Sequence, residues 1–176
     1  AGELVQPLPD GGRFALLDGL DVREARCGER TLPLARDREG RWVVPACSAP
    51  MLTLRWQGTL PEAGRETRHA IAEAGTFLPT RGGWYPHLVE AAGPLSLEVH
   101  TPAGQRALGS GSLVEERATP EGRLTRFHHP QTREVELAAG PWALRERDAG
   151  GVTLRVLFPE ALDAAFGATY LERAAH

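Results

Sequence analysis

Six histidines, two cysteines and one Ser-Gly-Ser turn are the residues of this 176-residue chain whose types could do chemistry. Metal binding needs imidazoles, thiolates or carboxylates converging on one point, and sequence announces this through spacings such as His-Glu-x-x-His on a helix or Cys-x-x-Cys in a turn. Neither spacing occurs. His128 and His129 are adjacent at a strand end, so their side chains leave opposite faces and do not readily share an ion. His69, His87 and His176 each have one acid three or four residues away, in Glu73, Glu90 and Glu172, but no second histidine nearby. His100 reads as an ordinary polar strand residue. Nucleophilic chemistry has no better footing: Gly-x-Ser-x-Gly is absent, and the turn from Ser110 to Ser112 has no base that spacing pairs with it. No phosphate-cradling glycine loop is present either. Cys27 and Cys47, twenty residues apart in neighbouring strands, fit either a disulfide or a pair of buried thiols. The chain by itself is therefore expected to hold no catalytic group, metal or cofactor.

Composition narrows the classes. With 41% apolar residues and a net charge of −3, the chain suits one soluble domain large enough to bury a core. All 20 basic residues are Arg, and 23 acids interleave with them, so no basic face offers itself to nucleic acid. The longest apolar runs fall far short of the roughly 20 residues of a spanning helix. The chain opens at Ala1 without a charged-then-apolar leader. A processed protein, periplasmic or secreted, or a piece of a longer chain is expected.

The elements that must position any site are strands. Short alternating runs at 13–17 and 20–26 flank Asp18 and Gly19, a hairpin signal, and runs at 31–35 and 42–44 flank a turn at 37–40. From 52 to 57, Leu52, Leu54 and Trp56 share one face and Thr53, Arg55 and Gln57 the other, as in a half-buried antiparallel strand. Residues 60–73 break the pattern into a loop that feeds a strand near 70–74. Alternation resumes with Leu95, Leu97 and Val99 inward, closing at a hairpin turn over 101–104. Runs at 106–108, 113–118, 123–128, 133–138, 142–147 and 152–158 follow at about ten-residue intervals, the rhythm of an all-β sandwich or curved sheet. The last two pair across 148–151.

Two stretches depart from this rhythm. Residues 75–87 hold three glycines, two prolines, Phe77, Trp84 and Tyr85, a shaped crossing with its own aromatic anchors. It reads as a structural corner, or as a rim facing a ligand or neighbouring domain. After Pro159 the period changes: Leu162, Ala165, Phe166, Thr169 and Tyr170 fall on one helical stripe, with Glu160 and Asp163 in the acid-favoured first turn. No cap closes this helix and no strand is left over to cover its stripe, so the natural protein is expected to continue past residue 176.

The order of alternating strands, the run Gly75 to Pro86, and then Leu95 to Pro102 resembles the amino-terminal β domain of the gluzincin zinc aminopeptidases, the aminopeptidase-N-like family. Residues 142–159 and the helix of 161–175 are similar to that domain's closing hairpin and the helix that opens the catalytic domain. The resemblance implies a saddle-shaped antiparallel β domain over 1–159, with 160–176 as a linking helix. It would pack on a thermolysin-like catalytic domain of the same polypeptide. Zinc and the His-Glu-x-x-His helix would lie in that domain, which also binds the peptide substrate. In the family, a Gln and a nearby acid on the strand before the aromatic loop reach the active-site cleft. The acid maps onto Glu73, whose carboxylate suits a substrate's α-ammonium. The Gln position reads Ile71, and the family's Ala-Arg and Phe-Pro-Cys run is replaced by Thr76 to Pro86.

Two other readings remain. One is a free-standing β-sandwich module binding carbohydrate or protein, with Trp84 and Tyr85 as a stacking platform. The other is the scaffold domain of an inactive pseudo-peptidase.

Overall fold

The computed structural model describes residues 1–7, 10–49, 51–60, 69–80, 82–88 and 92–175. The described chain is all-β, built from antiparallel strands, with one helical segment at residues 160–174. It divides into two compact units, residues 1–71, 78–93 and 131–134 in the first and residues 72–77, 94–130 and 135–176 in the second.

The first unit contains β1 (Gly2–Gln6), β2 (Gly12–Phe14), β3 (Leu20–Cys27), β4 (Arg30–Thr31), β5 (Ala35–Arg36), β6 (Trp42–Val44) and β7 (Leu52–Gly58). They form two sheets, ordered β1-β7-β3-β4 and β2-β6-β5. Alternation explains which faces are buried: Leu52, Leu54 and Trp56 turn inward on β7 as their spacing predicts. On β3 the inward set starts as Leu20 and Val22, then moves to Ala25 and Cys27, because a bulge between Val22 and Glu24 shifts the register by one residue. Phe14, Leu32, Trp42, Val44 and Cys47 complete this core.

Asp18 and Gly19 do form a tight turn, with the Leu20 amide donating to the Leu17 carbonyl at 3.0 Å. The strands on either side do not pair as a hairpin. β2 pairs with β6 and β3 with β7, so the turn passes the chain from one sheet to the other. The turn at 37–40 does join paired neighbours, β5 and β6. There the Asp37 carboxylate accepts from the Glu39 and Arg41 amides at 2.9 and 3.0 Å, a side-chain turn that fixes the loop. Cys27 and Cys47 are joined as a disulfide, both buried, which ties β3 to the segment after β6.

The remaining strands are β8 (Ala70–Ala72), β9 (Gly75–Leu78), β10 (Gly93–Thr101), β11 (Arg106–Gly109), β12 (Ser112–Thr119), β13 (Gly122–Thr132), β14 (Leu137–Gly140), β15 (Trp142–Ala149) and β16 (Val152–Pro159). They form sheets ordered β10-β13-β12, β11-β14-β9-β8 and β15-β16. Two expectations are corrected here. The 101–104 turn again leads from one sheet into another, since β10 neighbours β13 while β11 neighbours β14. The strand expected over 133–138 begins only at Leu137, because the Thr132 hydroxyl accepts from the Glu134 amide at 3.0 Å and bends the chain out of the ladder. β15 and β16 pair in register from Trp142 opposite Pro159 to Ala149 opposite Val152, across Gly150 and Gly151 at φ of 65° and 85°. Positive φ at both central residues is what a two-residue hairpin turn requires.

The helical segment runs as α1 (Glu160–Leu162), a π-helical turn (Asp163–Gly167) and α2 (Ala168–Ala174). Gly167 and Leu171 are its buried residues. The stripe picked out by helical spacing faces outward: Leu162, Phe166 and Tyr170 are 45%, 52% and 60% exposed. A polar contact selects the docking face, because Asp163, one turn ahead of Gly167, is gripped by Arg145 of β15.

Candidate functional site

Glu73 is the candidate substrate-facing carboxylate. It sits with Ala74 in the turn between β8 and β9, and both residues are exposed. Glu73 makes no ion pair among the described residues. The turn is not loosely held. The Trp142 indole, at the start of β15, donates its Nε1 hydrogen to the Ala74 carbonyl at 2.7 Å. The ring lies so close to the backbone that a Cβ on Gly75 would fall 2.2 Å from Cζ2, and one on Gly140 would fall 2.5 Å from Cε2. Gly75 also has a φ of 145°, a conformation that side chains resist. Ile71, at the position where the resembling family carries a Gln, lies on β8 and is half-buried.

The aromatic residues of 75–87 take different positions. Phe77, on β9, is 43% exposed. Within the first unit, Tyr85 and Pro86 are buried, and Trp84 is half-buried with its indole N–H donating to the Pro79 carbonyl at 2.9 Å. Trp56 of β7 donates to the Trp84 carbonyl at 2.9 Å, and the Leu17 amide donates to the Gly83 carbonyl at 2.8 Å. Trp84 and Tyr85 pack ring to ring at 4.7 Å, and Tyr85 meets the His87 ring edge-on at 6.1 Å. These bonds occupy the Trp84 indole N–H and the Gly83 and Trp84 carbonyls, and Tyr85 is turned inward. A stacking platform needs two exposed ring faces, and Tyr85 does not offer one.

Charged side chains of the second unit pair with one another. Glu98 accepts from the His100 imidazole at 2.7 Å and from the Arg126 guanidinium at 2.7 Å, and these partners, His100 first, hold its carboxyl below the usual range. Arg126 also reaches Glu115, and Arg106 and Arg123 both meet Glu116. The Glu98, Arg126 and Glu115 side chains are largely solvated, whereas the two arginines on Glu116 are partly buried with it.

Among the described residues the histidines do not gather. His69 is buried at the entry to β8, whereas His87, His100 and His128 are exposed, and His176 and Glu90 lie outside the described residues. Among the described residues no group of three or more His, Cys, Asp or Glu could hold a metal ion. The donor set of these residues does not fit zinc. Among the described residues no helix is long and apolar enough to cross a membrane.

No family model and no curated protein matches the sequence. Solved structures do match the fold. An M1 zinc metallopeptidase from Deinococcus radiodurans aligns with a TM-score of 0.65 at 18% identity, over 87% of this chain and 40% of that one. A mutant M1 zinc metallopeptidase from the same organism, bound to a Tyr-Ser-Ala substrate, aligns with a TM-score of 0.65 at 17% identity, over 88% of this chain and 41% of that one. An aminopeptidase N family protein from Idiomarina loihiensis aligns with a TM-score of 0.55 at 13% identity, over 88% of this chain and 29% of that one. The chain thus spans less than half the length of these structures, and its all-β fold is similar to a domain-sized part of these M1 zinc metallopeptidases and of the aminopeptidase N family protein.

Proposed function

We propose that this chain is the non-catalytic N-terminal β domain of a zinc aminopeptidase-like metallopeptidase, packing on a catalytic domain of the same polypeptide and shaping its cleft. The observation that carries the reading is the asymmetry of coverage: the structural match takes in 87% of this chain and only 40% of the enzyme it resembles. The outward apolar stripe of residues 160–174 supports its role as a linking helix, since Leu162, Phe166 and Tyr170 together offer a surface that further protein can bury.

In this reading Glu73 lends the cleft a carboxylate for the α-ammonium of a peptide, and the aromatic loop with Trp84, Tyr85 and Pro86 is a corner that holds its shape. The Cys27–Cys47 disulfide fits an oxidising compartment, periplasmic or extracellular. The test is an aminoacyl-anilide assay on this chain and on the full-length natural polypeptide, each with added zinc. Turnover is expected from the full-length protein alone. Zinc-dependent turnover by residues 1–176 would refute the non-catalytic role, and an inert full-length protein would point to a pseudo-peptidase.

A further inference from the structure

On β12 and β13, Glu116 and Thr125 stand directly opposite each other in the antiparallel register. Side chains so placed share one face of the sheet, with their Cβ atoms about 5 Å apart. No bond joins them. Thr125 is 1% exposed, and its buried hydroxyl has no hydrogen-bond partner among the described residues. Glu116 is held by two guanidiniums instead, Arg106 at 3.0 and 3.1 Å and Arg123 at 3.2 Å. Glu116 and Thr125 both line a small cavity, walled further by Arg106 of β11, Phe127 of β13, and Leu144 and Leu157 of the β15–β16 hairpin. About 10 Å³ is open there to the centre of a water-sized group. That is room for one water.

We infer that this cavity is a binding site for one ordered water, which accepts from the Thr125 hydroxyl and donates to the Glu116 carboxylate. A buried hydroxyl with nothing to bond is costly, and a polar pair too far apart for a direct bond is the setting in which water bridges. The chemistry of the walls selects the ligand. Thr125 offers a donor and Glu116 an acceptor with lone pairs beyond those its arginines use, so the occupant must both accept and donate. Water does both. A halide only accepts and would lie against the carboxylate, and a cation would meet Arg106. The site thus hydrates the seam between the β12–β13 pair and the β15–β16 hairpin, on the face of the hairpin opposite Arg145, since Leu144 and Arg145 are successive strand residues.

The sign of one substitution tests the site. Thr125→Val keeps the shape of the side chain and deletes its hydroxyl. Were that hydroxyl dry, its removal would relieve an unpaired buried group and raise the midpoint of thermal unfolding. With the water in place, the same change strands the water's hydrogen bonds, and the midpoint of this chain is expected to fall by about 2–4 °C. An unchanged or raised midpoint overturns the inference. The second measurement is a high-resolution crystal structure of the unsubstituted chain grown with sodium bromide, with diffraction recorded at the bromine absorption edge. A single density peak at hydrogen-bond distance from both Thr125 Oγ1 and the Glu116 carboxylate, without anomalous signal, is expected. An anomalous peak in the cavity would make it a halide site and overturn the assignment to water. A cavity without density, or a direct bond between Thr125 and Glu116, overturns it as well.

Discussion

Arg145 on β15 grips Asp163 in the π-helical turn through two bonds of 2.6 Å, Nε to Oδ1 and Nη2 to Oδ2. The fork-to-carboxylate geometry makes this the strongest class of surface pairing. The Arg145 bond holds the Asp163 carboxyl below its usual value. A depressed folded-state value means stability present above the unfolded carboxyl range and lost as pH falls through the folded one. Acidification is thus expected to release residues 160–174 before the β-sheets unfold. Helical circular dichroism and exchange at these amides should report it, and the early loss should disappear in Asp163→Asn, whose helical segment is already loosened at neutral pH.

Gly167 gives a test with an unusual sign. Its backbone is ordinary helix at φ −58°, so Gly167→Ala should stabilise by about 1 kcal/mol from propensity alone. The new methyl would lie 2.2 Å from Asp163 Oδ1 and 2.8 Å from Arg145 Nε. We expect Gly167→Ala to lower the midpoint of thermal unfolding instead, and Gly167→Ala combined with Asp163→Ala to recover part of the loss.

The disulfide between Cys27 and Cys47 closes a loop of twenty residues. Loop-closure entropy then contributes about 3 kcal/mol. Denaturant unfolding of Cys27→Ala/Cys47→Ala against the oxidised protein should show a loss of this size with a lower midpoint. Both sulfurs are buried, so mild reductant should leave the native bond intact until the first unit opens.

Phe166, at 52% exposure, carries little burial in the isolated chain. Phe166→Glu should leave the stability of residues 1–176 within about 0.5 kcal/mol, as for an ordinary surface position. If residues 160–174 pack on a further domain as proposed, the same change in the longer polypeptide would place a charge in that contact. A drop in its unfolding midpoint, absent from the isolated chain, is expected.

Trp56→Phe removes the donor to the Trp84 carbonyl. Leaving that acceptor unpaired should cost about 1–3 kcal/mol. Exchange at the amides of residues 82–88 should rise more than in the rest of the first unit.

Local geometry was written in the residues themselves. Period-two alternation gave the inward faces of Leu52, Leu54 and Trp56 and of Leu95, Leu97 and Val99; paired glycines gave the β15–β16 turn; and the change of period after Pro159 gave a helix. Each depends on contacts within a few residues, where spacing and backbone preference decide the outcome. Partnership is different. The turns at Asp18–Gly19 and at 101–104 reverse the chain as their chemistry dictates, but the strand beyond each finds its neighbour elsewhere, because distant apolar faces and not the turn choose the sheet. Bonding between Cys27 and Cys47, the outward turn of the Leu162–Phe166–Tyr170 stripe under the pull of Arg145 on Asp163, and the Trp142 clamp on Ala74 all join residues far apart in the chain. The Trp142–Ala74 bond could not be read from the chain, since a hydrogen bond spanning 68 residues has no spacing to betray it and exists only once the strands have packed.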